Sequence, residues 1–135
     1  MNTFERYTGI QDILKECGRS GCNFLCLLSI AEEVNGKPVD LIDAYKKARA
    51  SNSMDSSFYV YNNLRLLREL TGRNWLRREM SNIDGILGKN EYSIAVYFNQ
   101  RTGRHHYRRR SFDTLFDSVT VKEGYIEKYY VYSHD

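Results

Sequence analysis

One stretch, residues 20–34, constrains the fold of this chain more than any other, because it places a thiol at the start of the most apolar helix pattern. From Cys22 onward, apolar side chains occupy positions 24, 25, 27, 28, 30, 31 and 34. They cover more than one stripe of a helix, so the pattern predicts a helix buried on most sides. Gly36 supplies a stop, and Pro38 follows two residues later. We expect this helix to run from about Cys22 to Asn35.

Cys22 would begin that helix. The free N–H groups and the dipole of a helix N-terminus favour the thiolate, which is the nucleophilic form of cysteine. The alternative is a small buried residue at a helix start without chemistry, which is how most free cysteines behave. Cys26 follows one turn later on an apolar face, and we assign it to the core. A catalytic interpretation of Cys22 therefore requires a base and an orienting acid elsewhere in the chain.

Length and composition predict one globular domain over residues 1–135. Hydrophobic residues make up 41% of the chain and charged residues 27%, which is typical of a folded domain. Three cysteines and an N-terminus without an apolar run favour a reduced, cytoplasmic setting. No apolar window is long enough to span a membrane. The net charge of +3 is too small to imply a nucleic-acid partner by itself.

The two halves of the chain have different patterns. In the helical half, about 1–72, a lead-in segment over 1–20 precedes helices at about 22–35, 41–51 and 62–71, with Asp40 and Asn62 as N-caps. In the sheet half, about 73–135, we predict strands at 75–80, 93–98, 104–110, 115–116 and 125–132. Helices followed by antiparallel strands predict an α+β fold.

Histidine and aspartate follow the cysteine in an order that a cysteine hydrolase could use. Such an enzyme needs a thiol, an imidazole that exchanges its proton, and often a carboxylate that orients the imidazole. His105 and His106 lie on the predicted returning strand, and Asp117 follows eleven residues after His106. A cysteine on an early helix, with histidine and acid on a later sheet, is the order of the papain-like architecture.

Several short motifs carry a resemblance to a known family. They are Gly21-Cys22-Asn23-Phe24-Leu25 with residues 27–33 behind it, Tyr59-Val60-Tyr61-Asn62, His106-Tyr107, Asp117-Ser118 and Tyr129-Tyr130-Val131-Tyr132. With them the chain resembles an uncharacterised phage and spirochaete family that is similar to the papain-like, double-glycine bacteriocin-processing peptidases.

The resemblance implies a papain-like core and a small cysteine hydrolase that acts on an amide or peptide bond. Cys22 would be the nucleophile, His106 the general base and acid, and Asp117 the orienting carboxylate. The partner would be a peptide or protein substrate, and no cofactor or metal is expected. A phage-encoded protein of this kind would work in the host cytoplasm.

The oxyanion hole departs from the papain-like pattern, which has a glutamine about six residues before the nucleophile. Glu16 stands at that spacing from Cys22, whereas Gln11 lies eleven residues before it. We expect the Cys22 backbone N–H, with Gln11 as a candidate second donor, to stabilise the oxyanion. Gln11 lies six residues before Cys17, so Cys17 is an alternative nucleophile.

The choice between the two histidines depends on the face of one strand. Alternation puts His106 on one face and His105, with Tyr107, on the other. The family pattern favours His106, and His105 stays open. The three cysteines do not suggest zinc, because CxxxxCxxxC is not the spacing of a common zinc site.

Arginines concentrate around the predicted hairpin, at Arg101, Arg104, Arg108, Arg109 and Arg110. They could form a solvated face, or recognise an acidic protein partner or a phosphate backbone. Three helices followed by a basic hairpin would also suit a winged helix with residues 101–104 as the wing. A further alternative is a papain-like binding module without activity.

Overall fold

Three helices and a four-stranded antiparallel sheet make up the part of the chain that the computed structural model describes, residues 21–81, 87–109 and 124–135. The helices are α1 (Cys22–Asn35), α2 (Leu41–Ala50) and α3 (Asn63–Thr71). The strands are β1 (Trp75–Met80), β2 (Glu91–Asn99), β3 (Arg104–Arg108) and β4 (Gly124–His134). Their order in the sheet is β1-β4-β2-β3, with antiparallel neighbours throughout. The predicted α+β class is confirmed.

The helix boundaries follow the capping signals of the sequence. The Asp40 carboxylate accepts a hydrogen bond from the Asp43 backbone N–H at 2.9 Å. The Asn62 side chain accepts one from the Arg65 backbone N–H at 3.0 Å. Helix α1 ends at Gly36, whose φ of +69° suits glycine best. Two side-chain caps and a left-handed glycine therefore set these ends where the sequence predicted them.

The core lies between the helices and one face of the sheet. Helix α1 packs against α3 and β3, α2 packs against α3, and α3 packs against β1. Fully buried residues of α1 meet the apolar side of α3 and the sheet in one cluster that includes Phe24, Leu27, Ile30, Leu66, Leu67, Trp75, Ile94 and Tyr132. As predicted, α1 is buried on most sides.

The sheet has a helix-side face, which carries Trp75, Ile94, Tyr107 and Tyr132 and packs on the helices. The other face, called here the opposite face, carries alternate residues of the same strands. Its members include Tyr97, which pairs with His106 across β2 and β3, and Val131 on β4.

The predicted strand boundaries agree with the structure only in part. Strands β2 and β4 are longer than predicted, and β3 ends at Arg108. The lead-in segment 1–20 and the short strand 115–116 lie outside the described residues. Among the helices that the structure describes, none is long and apolar enough to cross a membrane.

Candidate functional site around Cys22

Cys22 is the first residue of α1, and its side chain is partly exposed. The helix begins after Gly21, whose carbonyl accepts a hydrogen bond from the Leu25 N–H at 2.8 Å. The first turn of α1 carries no acidic side chain. No carboxylate of this turn therefore offsets the positive potential at the N-terminus of the helix. The structure thus places the thiol where the sequence predicted it, at the mouth of the central helix.

The tyrosine of strand β3, Tyr107, lies within electrostatic range of this thiol. Burial is the main cause that raises the pKa of Tyr107 to about 12, and negative charge on Tyr130 and on Cys22 adds to the effect. Cys22 is therefore close enough to Tyr107 for the two groups to interact electrostatically. At neutral pH the Tyr107 hydroxyl stays protonated and can donate a hydrogen bond.

A hydrogen-bonded network surrounds this pair. The Asn23 side-chain amide donates to Asn63 Oδ1 at 3.2 Å, and Asn63 Nδ2 donates to the Tyr132 hydroxyl at 2.6 Å. Burial raises the pKa of Tyr132, while hydrogen bonds from Asn63 and Arg77 act in the other direction. The Arg77 guanidinium also lies 4.4 Å from the Tyr130 ring centroid. The network links the start of α1 to α3 and to the sheet.

Arg109 fixes which side of β3 faces α1. Its Nη1 donates to Ser29 Oγ at 3.0 Å and lies 2.9 Å from Glu33 Oε1, and its side chain is only 9% exposed. Tyr107, two residues earlier, lies on the same side as Arg109. Because side chains alternate along a strand, His106 lies on the opposite face of the sheet.

His106 is therefore not on the same face as the thiol. It is buried and pairs with Tyr97, another buried residue of the opposite face. The structure brings Cys22 together with Tyr107, and this register gives no support to the Cys22–His106 pair.

His105 lies on the helix-side face but nearer the hairpin, roughly 7 Å along the strand from Tyr107. Its Nε2 lies 3.4 Å from Glu127 Oε2, and its ring centroid lies 5.2 Å from that of Phe98. The Glu127 carboxylate is thus its described partner at this end of the sheet. The other predicted site residues, Gln11, Asp117 and the alternative nucleophile Cys17, lie outside the described residues.

The arginine cluster does not form one exposed face. Arg109 is buried against α1, and Arg108 is half-buried on the opposite face of the sheet. Arg101 and Arg104 are exposed on the hairpin, and Arg110 lies outside the described residues. Arg109 serves the core, so among the cluster's members that the structure describes, Arg101 and Arg104 are the ones exposed to solvent.

Sequence reasoning named Tyr107 and Tyr132 only as parts of motifs, and it gave no role at the site to these two residues, to Asn63 or to Arg77. Eleven tyrosines in 135 residues were a signal, because tyrosine favours half-buried strand positions where its hydroxyl needs a partner. The number of tyrosines does not say which tyrosine hydroxyl lies near the Cys22 thiol. The register of β3 against β2 determines which tyrosine lies on that face.

Comparisons with known proteins add no relative. No protein-family model matches the chain, and neither a curated protein nor a solved structure matches it significantly. The resemblance to papain-like peptidases stays a prediction. Within residues 21–81, 87–109 and 124–135, no three histidine, cysteine, aspartate or glutamate side chains cluster as metal ligands would.

Proposed function

We propose that this protein is a binding module with a papain-like core that contacts a peptide segment of a partner protein around Cys22 and does not cleave it. The observation that supports this proposal best is the strand register, which turns Tyr107 and not His106 to the helix-side face of the sheet. A thiol nucleophile works with a base that takes or holds its proton. A tyrosine hydroxyl keeps its own proton at neutral pH, and burial of Tyr107 raises its pKa further, to about 12, so on this face Tyr107 offers a hydrogen-bond donor and not that base.

The groups around Cys22 suit recognition of a polypeptide. Tyr59, which interacts electrostatically with Tyr107, is 66% exposed. Tyrosine provides a rigid ring and a hydroxyl at low entropic cost, so it is common in protein interfaces. Arg77 is exposed as well, and it adds a cation that favours an acidic segment.

The loop before α3 presents Tyr59 in a fixed position. The Asp55 carboxylate accepts hydrogen bonds from the N–H groups of Ser57 at 2.8 Å and Tyr59 at 3.1 Å. Phe58 has a φ of +67° and is buried, although a left-handed conformation is costly for such a residue. Strain of this kind is common at binding loops, and here it turns Tyr59 outward.

A displayed library of random peptides, each of about twelve residues, tests the proposal. Peptides selected on the wild-type protein should bind roughly tenfold more weakly to Tyr59→Ala and to Arg77→Gln, since each variant removes an interface contact. Leu76→Ala is the matched control, because Leu76 neighbours Arg77 on β1, is 73% exposed and points to the opposite face.

Cleavage of the same peptides separates the two interpretations of the thiol. The binding-module proposal predicts intact peptides after prolonged incubation and unchanged affinity in Cys22→Ser. Cleavage that Cys22→Ser abolishes would overturn the proposal in favour of the cysteine hydrolase. Equal losses in Leu76→Ala and Tyr59→Ala would show that the selected peptides bind elsewhere, and would also contradict it.

A further inference from the structure

Strand β1 forms one edge of the sheet. Its neighbour among the described strands is β4, and in the described part of the chain no other residue forms a backbone hydrogen bond with it. One row of its backbone N–H and C=O groups therefore points away from the sheet. Residues 76–79 are exposed. An exposed edge of this kind can pair with another strand unless charged side chains guard it.

The charged side chains of β1 are directed across the sheet and not over its edge. The Arg77 guanidinium lies 4.4 Å from the centroid of a tyrosine ring on β4. Arg78 Nη1 lies 2.6 Å from Glu91 Oε2 on β2, and Glu79 Oε1 lies 3.6 Å from Lys128 Nζ on β4. Since two of the three charges are paired within their own sheet, they oppose the approach of a further strand less than unpaired charges would.

Residues 76–80 are complementary to themselves in the antiparallel direction. Opposed residues of a continuous antiparallel sheet lie on the same face, so odd-numbered residues of β1 can oppose only odd-numbered ones of a second copy, and even-numbered only even-numbered. With a two-fold axis beside Arg78, Leu76 opposes Met80 of the second copy and Arg77 opposes Glu79. The first pair is apolar and the second joins opposite charges, and both kinds of cross-strand pair are favourable.

The two neighbouring registers lack this complementarity. A two-fold axis beside Arg77 sets the two Arg77 side chains against each other and Leu76 against Arg78. An axis beside Glu79 opposes two carboxylates. Like charges directly opposite each other are destabilising. The register centred on Arg78 also opposes two arginines, but each of these is paired with Glu91 of its own chain.

We propose that the β1 edge binds a second copy of this chain in an antiparallel pair centred on Arg78, which joins two four-stranded sheets into one. Leu76, which is 73% exposed, gains apolar cover from Met80 of the second copy. The pairing involves about five residues of each chain, so the dimer is expected to be weak and transient. It does not depend on the peptide-binding proposal. Arg77 contributes to both surfaces, so the tests use variants at positions 76, 78 and 80.

Disulfide crosslinking tests the register on the full chain. Arg78→Cys sets two sulfurs beside the two-fold axis, with Cα atoms about 4.5 to 5.5 Å apart, which a disulfide can span. Oxidised glutathione should convert most of this variant to a dimer linked 78 to 78, identified by peptide mass spectrometry. Leu76→Cys is the matched control. Its two Cα atoms would lie roughly 14 Å apart along the strands, so it should form far less linked dimer.

Sedimentation velocity tests the association without a crosslink. The wild type should form more dimer as its concentration rises to about 500 µM. Leu76→Lys should weaken association roughly tenfold, because it sets an ammonium against Met80 in both pairs. Leu76→Lys with Met80→Glu should recover much of the loss, since positions 76 and 80 oppose each other only in this register.

Circular dichroism shows whether each of these variants keeps the wild-type fold. A wild type that stays monomeric over the whole concentration range would overturn the inference. So would equal crosslinking of Leu76→Cys and Arg78→Cys, which would indicate random collision or another register. Folded Leu76→Lys with wild-type association, or a double variant as weak as Leu76→Lys, would place the interface elsewhere and contradict it too.

Discussion

The Arg109 guanidinium donates to Glu33 Oε1 across 2.9 Å and so joins the end of strand β3 to helix α1. A slip of one residue would turn every side chain of β3 to the other face of the sheet. The contact therefore selects which of two neighbouring residues meets the thiol. In this register Tyr107 lies on the helix-side face, within electrostatic range of Cys22, and His106 lies on the opposite face with Tyr97.

Removal of the Arg109 contact should destabilise the fold. Arg109→Met keeps the apolar stem but leaves Ser29 and Glu33 without their partner, and we expect a loss of about 2 kcal/mol in the free energy of unfolding. Urea unfolding measures it. Arg104→Met, on the exposed hairpin, is the control and should change stability by less than about 0.5 kcal/mol. Equal stability of the two variants would show that Arg109 does not hold β3 against α1.

The Asn63 side chain should matter for stability through Tyr132. Asn63→Ala removes the 2.6 Å hydrogen bond to the buried Tyr132 hydroxyl and the acceptor for Asn23. Arg77 remains as a hydrogen-bond partner of this hydroxyl, and one hydrogen bond contributes about 0.5 to 1.5 kcal/mol net, so we expect a loss of about 1 kcal/mol in urea unfolding. The double variant Asn63→Ala with Tyr132→Phe should recover part of the loss. If the second substitution only adds to it, the bond is not the cause.

Alkaline pH should destabilise the protein through Tyr107. Its folded pKa of about 12 lies above its ordinary value of 10.0, so between these values the unfolded chain loses the proton first. The free energy of unfolding should then fall as pH rises from about 10 to about 12, by about 1 to 2 kcal/mol after allowance for the partial exposure of this residue.

Tyr107→Phe should remove that part of the pH dependence, and the matched control Tyr125→Phe, at an exposed position, should keep it. Urea midpoints measured at several alkaline pH values provide the comparison. If the free energy of unfolding of Tyr107→Phe fell with pH as much as that of the wild type, the Tyr107 hydroxyl would not be the group whose pKa is raised by folding.

The sequence predicted the helices well because their ends depend on local chemistry. Asp40 and Asn62 accept hydrogen bonds from backbone N–H groups three residues on, and Gly36 adopts a left-handed conformation. These signals lie within a few residues of the boundary that they set. The same holds for the start of α1 at Cys22.

The candidate site was harder to predict because it depends on the face of a strand. Alternation alone separates His105 from His106 but does not say which face meets the helices. The answer comes from the contact of Arg109 with Ser29 and Glu33, which are 80 and 76 residues away in sequence. Sequence reasoning placed Arg109 in a basic surface cluster, whereas the structure buries it.

The central claim is that Cys22 and His106 do not form a thiolate–imidazole pair. Alkylation of Cys22 by iodoacetamide between about pH 5 and pH 9, followed by peptide mass spectrometry, tests it most directly. We predict that the rate profiles of the wild type and His106→Gln coincide, each falling about tenfold per pH unit on the acid side. A wild-type rate that stays high at acid pH and drops in His106→Gln would show a thiolate–imidazole pair and contradict the claim.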